Sequence, residues 1–217
     1  MAEPTAHIDT YIRYNMPPEA LWPDMDYSVL PELAAYPTRM NVAAELLDKA
    51  IENGHGDRPY IYFGDEIWSY ADTQARANQI ARVLVEDCHM VPGERVILRS
   101  GNHPMLMAAW FGILKAGGIA ISTMPVLRER ELTYMIGKAQ VQLAISDKKL
   151  SEDIEKAKEN TETLRSILYF GMEGPDGLDA RMAGKPTDFA TVDTAADDPA
   201  IIGFTSGSTG TPKGTIH

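Results

Sequence analysis

Between Thr205 and Thr211 every side chain is either a hydroxyl or a hydrogen, in the run TSGSTGT, and Pro212, Lys213 and Gly214 follow directly. Residue types in this pattern suit the capture of a polyanion. Gly207, Gly210 and Gly214 allow the backbone to take positive φ and to approach a ligand closely. Successive N–H groups in such a turn form a concavity for anions. Thr205, Ser206, Ser208, Thr209 and Thr211 add hydroxyl donors, Lys213 adds a flexible point charge, and Pro212 fixes the backbone beside it.

The spacing excludes two familiar phosphate loops. A Walker loop needs Gly-Lys-Ser/Thr, whereas Lys213 stands between Pro212 and Gly214. The glycines also miss the G-x-G-x-x-G order of a dinucleotide fold. A flexible Gly/Ser/Thr linker is the competing reading. The ordered Pro-Lys-Gly and the apolar flanks argue against it. IIGF before and GTIH after both read as strand, so the loop is expected to join two strands.

The elements that must carry this loop are legible upstream. Residues 1–40 are rich in proline and aromatics and read as an arm packed irregularly on the surface, with Trp22, Tyr27 and Leu30 as candidate anchors. A body is expected over residues 41–217. In NVAAELLDKAIENG, Ala43, Leu46, Leu47, Ala50 and Ile51 follow helical spacing, with Asn41 as cap and Asn53-Gly54 as stop. RPYIYFGDEIWSY predicts two short strands around Gly64-Asp65. Ser69 and Asp72 form a capping-box pattern for the next helix, whose apolar stripe ends at Cys88. RVILRS, GIAIST, QLAISD and SILYF then alternate with segments of helical length. Strands apolar on both faces and separated by helices predict an α/β fold, with a mostly parallel sheet covered by helices on both faces. The helix from Met105 to Leu114 is apolar all round, so its methionines read as core. Residues 171–199 read as a polar connection.

Composition narrows the function. A net charge of -11 and a pI near 4.9 exclude a nucleic-acid binder that works by neutralising phosphates. One cysteine cannot close an internal disulfide, the start MAEPTAHIDT lacks a secretory pattern, and no apolar run is long enough to span a bilayer. A cytoplasmic location is the expectation. His7, His55, His89 and His103 read as surface or capping residues, and the five histidines show no metal-ligand spacing. Asp193, Asp197 and Asp198 read as solubilising and Cys88 as core. Arg128, Arg130 and Lys138, on one amphipathic helix, read as a solvated face, with contact to an acidic ligand as the alternative.

IIGFTSGSTGTPKGTIH resembles the phosphate-binding signature of the adenylate-forming superfamily: acyl-CoA synthetases, peptide-synthetase adenylation domains and luciferases. WSYADTQARANQIARVL and ILKAGGIAISTMP resemble two further family stretches in the expected order. RYNMPPEALWPDM and LRSGNHPMLMAAWFGILKAGG are most similar to benzoate and 2-aminobenzoate CoA ligases. The resemblance implies activation of a carboxylate by ATP through an acyl-adenylate, then transfer to coenzyme A. A short- or medium-chain fatty acid is the alternative substrate, and a non-catalytic nucleotide-binding module the alternative class. It implies that Thr205, Ser206, Ser208 and Thr209, with the backbone of Gly207 and Gly210, hold the β- and γ-phosphates. Lys213 would offset charge on the departing pyrophosphate, as the catalytic residue of this stretch, and His217 could border the acyl pocket. The family places its adenine, ribose and Mg2+ contacts, and much of its acyl and coenzyme A sites, downstream of this loop. The chain is therefore expected to be the N-terminal, incomplete domain of a longer ligase, without turnover of its own, to bind no nucleic acid, and to be compatible with a homodimer. The loop over residues 205–213 is expected to be mobile, with GTIH short of pairing partners.

Overall fold

The computed structural model describes residues 4–24, 26–205 and 211–217. In chain order it contains α1 (Tyr11–Tyr14), α2 (Pro31–Ala34), β1 (Pro59–Phe63), β2 (Glu66–Ser69), α3 (Tyr70–Arg82), β3 (Arg95–Arg99), α4 (Pro104–Lys115) and β4 (Ile119–Thr123). These are followed by α5 (Glu129–Ala139), β5 (Leu143–Asp147), α6 (Ser151–Glu159), β6 (Ser166–Phe170), α7 (Leu178–Ala183), β7 (Ile202–Thr205) and β8 (Lys213–Ile216). The central sheet is parallel, in the order β4-β3-β5-β6. Alternate residues of its strands feed two cores. Val96, Leu98, Ala120 and Ile145 pack with Ile80, Leu84, Phe111 and Ile113 of the α3–α4 side. Ile97, Ile121 and Ala144 pack with Leu132, Ile136, Ile154 and Ala157 of α5 and α6. Helices thus cover both faces, as the two-sided apolar strands require.

Local chemistry sets the ends of these elements. The Ser69 and Asp72 side chains each bond the other's backbone N–H, both at 3.0 Å, closing the expected capping box of α3. Asn41 Oδ1 accepts from Ala43 N at 2.9 Å and caps the helical segment over residues 42–55. That segment is mostly π-type, over Ala44–Asp48 and Ile51–His55. Its wider turns shift the apolar stripe, which leaves Leu46 57% exposed although helical spacing turns it inward. Gly64 sits at φ 58 in the turn between β1 and β2. Gly112 of α4 lies against α3, where a Cβ would stand 2.9 Å from the Ala77 carbonyl.

Several expectations are corrected. Trp22 and Leu30 do not anchor the arm: both are exposed, and Trp22 Nε1 donates to the arm's own Pro17 carbonyl. The attachment lies earlier. Ile12 and His7 are buried, and the N–H groups of Ile8 and Asp9 both reach the Pro92 carbonyl. Asp9 pairs with buried Arg95 at 2.8 Å. Asp198 is the node of this attachment and is not a solubilising residue, with a side chain 1% exposed. It accepts from the Thr5 hydroxyl, from Ala6 N at 3.0 Å, from Ala195 N at 2.9 Å and from Arg13 at 2.7 Å. Residues 171–199 are more than a polar connection, because Leu178 and Met182 of α7 are buried and Asn41 binds the Val192 carbonyl. Met107 departs from the buried α4 pattern at 40% exposure. Cys88 is core as expected, and burial pushes its thiol pKa up.

Burial alone would raise the Asp198 pKa, but the hydrogen bonds from Thr5, Arg13, Ala6 and Ala195 prevail and lower it to about 2. A carboxylate with a depressed native pKa contributes stability above its unfolded pKa and loses it as pH falls toward the native value. Relative to an ordinary value of 3.8, this is about 2 kcal/mol, lost between about pH 4 and pH 2. Asp198→Asn is expected to lose about this much at pH 7 and to flatten the acid limb of a urea-midpoint profile. An unchanged acid limb would show that Asp198 is not the titrating group.

Candidate phosphate-binding site

β7 and β8 form an antiparallel hairpin, with Thr205 opposite Lys213 and Ile202 opposite Ile216. The expectation that the loop joins two strands is met. GTIH is not short of partners, since it pairs with IGFT, and His217 exchanges backbone hydrogen bonds with Ile201. Ile201 also bridges Ala120 in parallel, and Ala120 N bonds the Ala200 carbonyl at 2.9 Å. This sets the hairpin on the β4 edge of the sheet and aligns β7 with the parallel strands. The loop after Thr205 therefore emerges at their carboxyl end, where open α/β sheets bind ligands.

Ser206, Gly207, Ser208, Thr209 and Gly210 lie outside the described residues, as does the core of the mobility expectation. Thr205 and Lys213 are the described ends of the loop, both exposed. Gly214 does not take positive φ, in contrast to the sequence reading; a Cβ there would stand 3.1 Å from Ile202 Cγ2 across the hairpin, a tight contact that Ile202 would have to yield to. Phe204, Thr205 and Pro212 line a cavity of about 270 Å³ with Ser122, Thr123 and Met124 from the end of β4, and Leu127, Glu131 and Met135 beyond it. On its other side the loop meets α5. The Tyr134 hydroxyl donates to the Pro212 carbonyl at 3.0 Å, and Arg130, Tyr134, Thr211 and Pro212 border a space of about 440 Å³. His217 is elsewhere: it lines a cavity of about 110 Å³ with His7, Asn41 and Asp198.

The floor of the site is held by a residue that the apolar pattern of RVILRS hid. Arg99, at the end of β3, is 1% exposed and donates to the carbonyls of Leu127 at 2.8 Å and of Met124, Pro125 and Leu150 at 3.3 Å. It fixes the 124–127 turn that leads into α5. Around α5, Arg128 pairs with Asp153 at 3.2 Å and Glu131 Oε2 accepts from Arg128 N at 3.0 Å. His103 caps α4, its Nδ1 accepting from Met105 N at 3.1 Å. Among the described residues no three His, Cys, Asp or Glu side chains converge in a way that could hold a metal ion. Nor is any helix among them long and apolar enough to cross a membrane.

The profile of the AMP-binding enzyme family matches residues 47–217. The chain belongs to the AMP-binding enzyme family. Its relatives in this AMP-binding family include a benzoate–CoA ligase of Thauera aromatica, 26% identical over 193 residues, which cover 88% of this chain and 36% of that protein. A linear gramicidin synthase polypeptide of Brevibacillus parabrevis is 31% identical over 163 residues, 75% of this chain and 2% of that protein. Apo MatB from Rhodopseudomonas palustris superposes with a TM-score of 0.68 at 29% identity, over 81% of this chain and 34% of that one. An anthranilate CoA ligase in complex with anthranoyl-AMP superposes with a TM-score of 0.77 at 23% identity, over 89% of this chain and 35% of that one. At that identity the likeness speaks for the fold, which is that of the N-terminal domain of adenylate-forming enzymes. The chain spans 36% of the length of the benzoate–CoA ligase that it matches.

Proposed function

We propose that the turn from Thr205 to Lys213 grips the β- and γ-phosphates of ATP, and that the protein serves an acid ligase that activates an aromatic carboxylate as its adenylate and passes it to coenzyme A. The observation that carries the reading is the placement of the loop. The two strands that flank the hydroxyl- and glycine-rich run end at the carboxyl side of a parallel sheet, with Thr205 opposed to Lys213. Hydroxyl and N–H donors and a cation aimed at the departing pyrophosphate would stabilise the charge that develops there. In this reading Thr205, Ser206, Ser208 and Thr209, with Gly207 and Gly210, hold phosphate oxygens, and Lys213 offsets the charge that leaves. The arm is residues 1–40 and the body residues 41–217, with the stretch from Thr5 to Arg13 tying the two together.

Calorimetric titration with ATP and with pyrophosphate tests the grip. Lys213→Ala is expected to weaken both about 10-fold, the order of one charge-assisted contact, with the thermal midpoint unchanged. Equal binding by wild type and variant would remove Lys213 from the site. Amino-acid activation is a second reading, favoured by the 30–31% identity to two linear gramicidin synthase polypeptides against 26% to the benzoate–CoA ligase. Acid-dependent exchange of pyrophosphate into ATP separates the two, run at the protein's full natural length with benzoate, 2-aminobenzoate, a medium-chain fatty acid and the amino acids in parallel.

A further inference from the structure

The net charge of -11 repels a polyphosphate at long range, so whatever holds one here must be close and cationic. Lys213 is one such charge, and α5 brings a second to the same turn. Arg130 and Tyr134 are four residues apart on α5 and therefore share a face. Tyr134 already touches the loop, through its hydrogen bond to the carbonyl that precedes Lys213. Arg130 borders the same space as Thr211 and Pro212, one turn nearer the start of the helix.

The neighbours of Arg130 are committed elsewhere. Arg128 pairs with Asp153, and Glu129 Oε1 accepts from Thr133 and Asn160. Glu131 is the acidic group that faces this space, and its carboxylate is engaged at the cap of α5. Among the described residues Arg130 makes no hydrogen bond or ion pair, and it is exposed. A planar guanidinium offers paired N–H donors that match two oxygens of one phosphate, which a lysine does not.

We infer that Arg130 is a second cationic contact for the terminal phosphates of the nucleotide, on the α5 side of the loop, with Tyr134 as the positioning residue that holds Pro212 and Lys213 within reach. This inference rests on the phosphate-loop reading above and adds to it a second wall. Arg130 would engage the triphosphate tail and leave the nucleoside untouched. Affinity for ATP and for pyrophosphate should then depend on it, and affinity for AMP should not.

Titration of the whole chain with ATP, pyrophosphate and AMP tests this on Arg130→Ala, Arg130→Lys, Tyr134→Phe and Lys213→Ala. Arg130→Ala should weaken ATP and pyrophosphate about 10-fold and leave AMP within about twofold, with Arg130→Lys between it and wild type. Tyr134→Phe should weaken ATP at an unchanged thermal midpoint, and it should give no further loss in a chain that already lacks Lys213. Should Arg130→Ala bind ATP as wild type does while Lys213→Ala fails, the Arg130 contact is overturned and the loop reading stands. Should wild type bind neither ATP nor pyrophosphate, both fall together. Equal losses for AMP and ATP would also overturn the contact, because they would mark a general structural effect.

Discussion

Asp48→Ala is expected to destabilise the protein by about 3–5 kcal/mol, the cost of leaving a buried partner charge uncompensated. Lys115, in the last turn of α4, is 1% exposed, and its ammonium meets the Asp48 carboxylate at 2.5 and 2.6 Å. Asp48 also accepts from Gln74 Nε2 at 2.7 Å and from Thr191 at 3.1 Å. The one carboxylate thus gathers the helical segment over residues 42–55, α3, α4 and the strand-free stretch before β7. Without it the ammonium has no ready route to water, and two further donors lose their acceptor. Urea denaturation reads the loss. The double variant Asp48→Leu with Lys115→Met should recover a large part of it, because removing both charges is far cheaper than orphaning one. A loss below about 1 kcal/mol for Asp48→Ala would mean that water reaches the pair and that it behaves as a surface bridge.

Arg99→Met is expected to cost a similar amount, about 3–5 kcal/mol, by a different route. The methionine fills much of the volume but leaves four carbonyl oxygens, at Met124, Pro125, Leu127 and Leu150, without the donor they share. The loss should be local as well as global. Hydrogen exchange should quicken at residues 124–130 before it quickens in β3 or β5. Binding of ATP at the proposed site should weaken in parallel, because Met124 and Leu127 line one cavity with Thr205. Arg99→Lys should not rescue the protein, since an ammonium cannot reach four carbonyls on two separate turns. Uniform exchange across the sheet would show that Arg99 is packing alone.

Much of this architecture is readable in the chain, and the exceptions share a cause. The four parallel strands are legible because RVILRS, GIAIST, QLAISD and SILYF are apolar on both faces, and α3 because Ser69 and Asp72 announce its first turn. Those signals are local. Arg95, Arg99, Lys115 and Asp198 are buried charges whose partners lie far away in sequence, and no window of residues reveals such a partner. Asp198 looks like one of several surface aspartates until Thr5 and Arg13 come to it. Leu46 misleads for a local reason, because helical spacing assumes turns narrower than the π-type turns present. The loop proposed to hold phosphate is the most legible part of the site, since its residues are concentrated in one run. The second wall inferred for it is only half legible: Arg130 is one of three cations on an amphipathic helix, and nothing local tells which of them folding brings beside Pro212.

The tie between Thr5 and Asp198 spans 193 residues. During synthesis on the ribosome Thr5 emerges before Asp198, so the carboxylate that receives its hydroxyl comes only later. The four parallel strands and Pro92 can already receive Asp9 and Ile12, while Thr5, Ala6 and Arg13 still lack the Asp198 carboxylate. The bonds from Thr5, Ala6 and Arg13 therefore close only after the four strands have been made. A chaperone that shields the segment around Thr5 until Asp198 appears would act in the interval when this strap is open to capture.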